Sequence, residues 1–212
     1  RILNAKPLPM PLIFKNKIIN NGEKNMVNTI NPEDKNVNDK PFTVGILFVH
    51  KNSIDFTCTA SVISTDNRNI GITVAHCFYD WQTRVWADNL QFCPGYNHGK
   101  QSCYKCIAVS NVANLAHYTN DHFDYGILKF DYNGTGRLQD QTGCFDWGIQ
   151  PKYPVEIVTY RYLGDGDMDC PDQYVPLNLG NGTSGGPWVI KNSSPNNLGY
   201  LIGITHGHID FT

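Results

Sequence analysis

Neither sign of charge predominates in this sequence of 212 residues: 17 Lys and Arg face 19 Asp and Glu, a formal net charge of −2. That balance leaves no electrostatic footprint for nucleic acid, and no basic run suits a membrane surface. Long hydrophobic runs are lacking too. Stretches such as Val44 to Val49 are strand-length, so no segment is long enough to cross a bilayer as a helix. No initiator Met opens the chain, which begins at Arg1 without a signal peptide. The expectation is a mature form whose targeting segment has been removed.

What is present points to many short strands. Nineteen Gly and twelve Pro suit turns rather than long helices. Residues 1–36 have no clean period and read as an N-terminal arm or the remnant of a pro-segment. From Pro41 the pattern changes: Phe42, Val44, Ile46 and Phe48 alternate with Thr43, Gly45, Leu47 and Val49, a strand buried on both faces. A turn at Lys51-Asn52-Ser53 leads to a strand over Phe56–Ile63, and Asn67-Arg68-Asn69 leads to another over Ile70–Ala75. The stretch from Trp86 to Asp121 reads as loop-rich. Further strands are expected over Pro154–Tyr162, Tyr174–Leu179, Gly186–Ile190 and Tyr200–Thr205. The reading is all-β, with subdomains at 37–135 and 136–212 and a cleft between them.

Seven cysteines favour an oxidising compartment and hence secretion. Asn133-Gly134-Thr135 and Asn192-Ser193-Ser194 match the N-glycan acceptor pattern. Asn181-Gly182-Thr183 matches too, but a glycan there would crowd Ser184, so it is expected bare.

Three segments carry chemistry in a fixed order. Thr73-Val74-Ala75-His76-Cys77 ends an apolar run, and Cys58 lies nineteen residues before Cys77 on a neighbouring expected strand. A Cys58–Cys77 bridge would staple the hairpin that presents the imidazole. Asp124 opens the strand Tyr125-Gly126-Ile127-Leu128, where an acid becomes partly buried and needs a donor such as an imidazole N–H. Asp121 is its rival, further from the apolar run. Gly182-Thr183-Ser184-Gly185-Gly186-Pro187 surrounds one hydroxyl with glycines, which permit a sharp turn and amides aimed at a developing oxyanion. A serine is a poor nucleophile until an imidazole takes its proton and a carboxylate orients that imidazole. The expected roles are Ser184 as nucleophile, His76 as base, Asp124 as orienting acid, and the Gly182 and Ser184 amides as oxyanion hole.

On these residues the chain resembles the chymotrypsin-like serine proteases, and more particularly their glutamyl-endopeptidase branch, from about Val37 to His208. Phe92-Cys93-Pro94-Gly95-Tyr96-Asn97, the acid strand from Asp124 to Phe130, and Thr142-Gly143-Cys144-Phe145-Asp146-Trp147 resemble segments of that branch. The resemblance implies two six-stranded antiparallel barrels with the active site between them. It implies substrate contacts at Asn178, Leu179, Thr205, His206 and Gly207, with Leu179 and Thr205 departing from the branch's pocket residues. It implies as well that residues 1–28 are an extra segment of a zymogen, and that a last strand and helix are missing after Thr212 or supplied by a second chain.

Among the remaining cysteines, Cys144–Cys170 is a plausible bridge, and two of Cys93, Cys103 and Cys106 could close a loop. Cys103-Tyr104-Lys105-Cys106, followed by His117 and His122, has nearly a zinc-site spacing, but cystines account for the sulfurs, so no metal or other cofactor is expected. The function expected is a secreted serine endopeptidase acting on polypeptide, with no nucleic-acid or membrane partner. A catalytically inactive homologue used as a binding module is the alternative.

Overall fold

A computed structural model of the chain describes residues 6–7, 41–97, 99–114, 123–148, 157–162, 168–169, 182–190 and 198–206. Nine strands come first: β1 (Lys6–Pro7), β2 (Val44–Lys51), β3 (Ile54–Val62), β4 (Ile70–Thr73), β5 (Tyr79–Asp80), β6 (Val85–Trp86), β7 (Asn89–Pro94), β8 (Ile107–Asn114) and β9 (Gly126–Phe130). A short helix, α1 (Leu138–Thr142), leads to β10 (Asp146–Trp147), β11 (Val158–Thr159), β12 (Arg161–Tyr162), β13 (Met168–Asp169), β14 (Pro187–Ile190) and β15 (Tyr200–Ile204).

The first half closes on itself. Strands run β3-β2-β7-β8-β9-β4, and β4 pairs back onto β3, making an antiparallel six-strand barrel without a free edge between these strands. The hairpin that starts it follows from two residues: Asn52 and Ser53 take φ of 51° and 63°, and Lys51 pairs with Ile54 around them. A two-residue loop with both residues left-handed matches the twist of the strands it joins.

Strand β2 is buried on both faces, as its pattern implies, and each face serves a different core. Leu47 and Val49 point into the barrel with Phe92, Leu128 and Phe130. Val44, Ile46 and Phe48 point outward and pack with Phe145, Tyr162, Val189 and Leu201 of the second half. Period-two alternation therefore fills the barrel and glues the second half to it. Two glycines permit this density: a Cβ on Gly45 would sit 2.4 Å from the Phe92 ring, and one on Gly71 2.4 Å from that of Phe130.

In the second half the described strands form a four-stranded sheet, β10-β15-β14-β11, beside the β12–β13 pair. The first of the two expected barrels is thus closed, while among the described residues the second is an open sheet. The expected strand Tyr174–Leu179, Cys170, and nearly all of the N-terminal arm lie outside the described residues.

Two expectations need correction. The stretch read as loop-rich contains β7 and β8, two of the six barrel strands. Both strands carry apolar residues, but Ser110 and Asn111 interrupt the pattern of β8 at a register shift, and ladder pairing of β7 with β2 and of β8 with β9 holds the two strands in the barrel. Cys144 is a free, buried thiol, so the expected bridge to Cys170 is not made. It belongs to the core cluster of the first barrel, where burial pushes the thiol pKa up against an opposing hydrogen bond with Ser64.

The bridges that do form are Cys58–Cys77 and Cys93–Cys106; the second ties the start of β8 to β7 and leaves Cys103 as an exposed free thiol. With Cys106 spent as a cystine, the zinc spacing loses a thiolate. Cys58–Cys77 closes a span of 19 residues, for which loop-entropy arguments give roughly 3 kcal/mol of stabilisation. Replacing both cysteines by alanine should lower the urea midpoint correspondingly, and an unchanged midpoint would show that the bridge contributes no stability.

Candidate active site

His76 sits in a single 3₁₀ turn, Ala75–Cys77, which ends β4. The turn is fastened at several points. Cys77 is bridged to Cys58 on β3, and the Lys51 ammonium donates to the His76 carbonyl at 3.4 Å. Gly126 lets it lie against β9, because a Cβ there would meet the Phe78 ring at 2.3 Å.

Asp124 lies two residues before β9, just after Phe123, whose φ of 58° is in the left-handed region that a bulky side chain adopts only under constraint. The Tyr125 N–H closes a tight turn onto the Phe123 carbonyl at 2.7 Å. Phe123 itself is largely exposed, while Asp124 is turned inward and buried. Its Oδ1 accepts the backbone N–H of His76 at 2.8 Å, and its Oδ2 accepts Nδ1–H of the same residue at 2.5 Å. One carboxylate thereby sets both the backbone and the ring of the histidine.

A second imidazole shares that oxygen. Nδ1 of His206, two residues past β15, is also hydrogen-bonded to Asp124 Oδ2. The rings stand edge-to-face with centroids 5.8 Å apart. A carboxylate accepts only, so both rings carry a proton on Nδ1, and in a neutral ring the lone pair then falls on Nε2. Burial acts to raise the Asp124 pKa, but hydrogen bonds from His206 and His76, and the charge those rings can carry, outweigh it and hold the carboxyl below its ordinary 3.8.

Ser184 is positioned through backbone bonds. Gly182 and Gly185 take φ of 89° and 85°, and Gly186 N–H returns to the Thr183 carbonyl at 3.0 Å, so the hydroxyl rides on a tight turn. Thr59 on β3 grips it: its N–H donates to the Ser184 carbonyl at 2.8 Å and its hydroxyl to the Gly182 carbonyl at 3.2 Å. Thr59 is next to Cys58, the partner of Cys77, so serine turn and histidine turn hang from adjacent residues. The approach is close enough that a Cβ on Gly185 would lie 2.2 Å from both the Thr59 carbonyl and the Thr73 hydroxyl. Thr205 completes the frame, accepting Gly185 N–H and donating to the Gly186 carbonyl, both at 2.8 Å.

Asp124 is thus bonded to His76 and to His206, while Ser184 is held to β3 through Thr59 and makes no hydrogen bond to His76. Ser184 Oγ, His76 Nε2 and His206 Nε2 are each buried without a hydrogen-bond partner among the described residues. Of the expected pocket residues, Thr205 is buried and its hydroxyl accepts the Trp188 indole N–H at 3.1 Å. His206 was expected only as a pocket residue; its contact with Asp124 is new, and no spacing in the sequence could have signalled it. Asn178, Leu179 and Gly207 lie outside the described residues. A cavity of about 430 Å³ lined by Trp86, Leu90, Val109 and Val112, beside β6–β8, contains none of the site residues.

No family model matches the sequence, and no curated protein does. Solved structures do match in fold. A thermostable serine protease from an extremophilic microorganism superposes with a TM-score of 0.64 at 22% identity, over 80% of this chain and 89% of that one. The protease Anisep from Arthrobacter nicotinovorans gives 0.63 at 17%, over 81% and 88%. A Glu endopeptidase gives 0.55 at 16%, over 75% and 76%.

The depressed Asp124 pKa has a sign that can be checked. A carboxylate of this kind adds stability above its unfolded pKa and loses that contribution as pH falls through the folded value. Asp124→Asn should therefore trail the wild type most at pH above the ordinary 3.8, with the two converging as pH drops below it. Urea midpoints across the acid range test this, and a gap that stays constant would contradict it.

Proposed function

Starting from the chymotrypsin-like serine-protease fold that the chain carries, we propose that it is a secreted serine endopeptidase that cleaves peptide bonds through an acyl-enzyme. The observation that carries the reading is the Nδ1–H to Asp124 bond of His76, made at 2.5 Å. It selects the tautomer whose Nε2 lone pair can accept a proton, and a base without that tautomer would be useless to a serine.

Ser184 Oγ attacks the substrate carbonyl while His76 Nε2 takes its proton. Asp124 steadies the imidazolium that results. The amides of Gly185 and Gly186 are engaged by Thr205 and Thr183, and those of Gly182 and Ser184 serve the tetrahedral oxyanion. His76 then protonates the leaving amine, and water, deprotonated by the same nitrogen, hydrolyses the ester. Substrate in an extended conformation pairs with the edge that follows Ile204. Leaving a buried hydroxyl and a buried ring nitrogen unpaired costs about 1–3 kcal/mol each, a cost that a catalytic pair recovers when substrate aligns it. Two cystines suit an extracellular setting.

The experiment is labelling and turnover. The wild type should react with a fluorophosphonate and cleave members of a mixed peptide library, whose cut sites would also report specificity. Ser184→Ala should lose labelling and on the order of 10⁶-fold in kcat while keeping its circular dichroism spectrum. A folded wild type that neither labels nor cleaves would instead be the inactive homologue used for binding.

A further inference from the structure

We propose that His76, Asp124 and His206 form a reversible site for a transition-metal dication, with Zn²⁺ as the reference ion, and that occupancy switches the peptidase off. Binding is argued from geometry alone; only its inhibitory consequence rests on the function proposed above.

Two imidazoles and one carboxylate are the donor set that first-row transition metals prefer, and one that Ca²⁺ and Mg²⁺ do not. One donor atom from each of the three residues lies within 4.8 Å of the other two. Ligands around tetrahedral zinc, at bonds of about 2.1 Å, stand roughly 3.4 Å apart. The His76 Nδ1–Oδ2 separation of 2.5 Å must therefore open by about 1 Å, and a pair at the 4.8 Å limit must close by about 1.4 Å. Small ring rotations supply both. Exposure rises from 4% at Asp124 to 11% at His76 and 23% at His206, so the ion enters past His206 and a water or substrate group takes the fourth position.

The proton balance explains why such binding would be inhibitory. In the metal-free protein each ring holds its proton on Nδ1, facing Oδ2, with the lone pair on Nε2. For Nδ1 to ligate the metal, that proton must transfer through solvent to Nε2; the ring stays neutral and nothing is oxidised or reduced. The imidazole is then locked in the opposite tautomer to the one Asp124 selects. His76 Nε2 becomes a donor and can no longer accept the Ser184 proton. An ordinary serine–histidine–aspartate system requires no imidazole at 206, so His206 is what distinguishes this cluster.

The test uses the wild type and Ser184→Ala at neutral pH. Calorimetric titration with Zn²⁺ should give one ion per chain in both, and Co²⁺ should produce the visible spectrum of a low-coordinate nitrogen–oxygen site. Proton NMR of the wild type should show far-downfield Nδ1–H resonances that vanish as one equivalent of Zn²⁺ is added. Peptide hydrolysis should fall over the same concentrations and return with a chelator. His206→Gln keeps an N–H for Asp124 but no strong ligand. It should lose stoichiometric binding, and its rate ratio with and without Zn²⁺ should approach one, whatever its basal rate. Failure of the wild type to bind stoichiometrically overturns the proposal. So does binding that leaves the downfield resonances in place, which would locate the ion elsewhere; this arm decides even if His206→Gln does not fold. Binding without any peptidase activity would refute the function above and leave the metal site standing.

Discussion

The carboxylate of Asp124 is the point on which the site depends. It takes a backbone N–H and a ring N–H from His76 in the first half, and a ring N–H from His206 in the second. The two ring bonds, with the charge those rings can carry, favour the ionised acid and overcome the burial that would otherwise neutralise it. A charge kept in a poorly solvated place constrains its surroundings strongly, because an unmet partner is costly there. The orientation of both rings and the position of their Nδ1 protons follow from one side chain.

A mechanical frame holds that charge in position. Strand β3 carries Cys58 and Thr59 side by side, one bridged to the residue after His76, the other hydrogen-bonded to Ser184. The placement of Ser184 and of His76, the nucleophile and base proposed above, is thus tied to two adjacent residues of a barrel strand. Glycine is required at 185 because the serine turn presses against the Thr59 carbonyl and Thr73 hydroxyl. Rigid support of this kind is what positional catalysis demands.

Much of this could be read in the residues. Alternation from Phe42 to Val49 announced a strand buried on both sides, and the nineteen-residue spacing of Cys58 and Cys77 announced their bridge. Both signals are local or pairwise, and local patterns survive without tertiary context. Strands β7 and β8 escaped notice because Ser110 and Asn111 break the alternation of β8 at its register shift, and because pairing with β2 and β9 is made by residues elsewhere in the chain. Cys144 misled for a related reason: a cysteine looks the same in sequence whether it is a cystine or an oily core residue, and only packing distinguishes the two.

Residue order and glycine placement were sufficient to nominate His76, Asp124 and Ser184, because that chemistry needs those functional groups whatever the fold. The number of imidazoles on the acid was decided only by tertiary structure. His206 lies eighty-two residues from Asp124 and reaches it because Thr205 is pinned to the serine turn, which in turn is pinned to β3. Pairing across the junction between two halves depends on how their faces pack, and no spacing along a single strand encodes it.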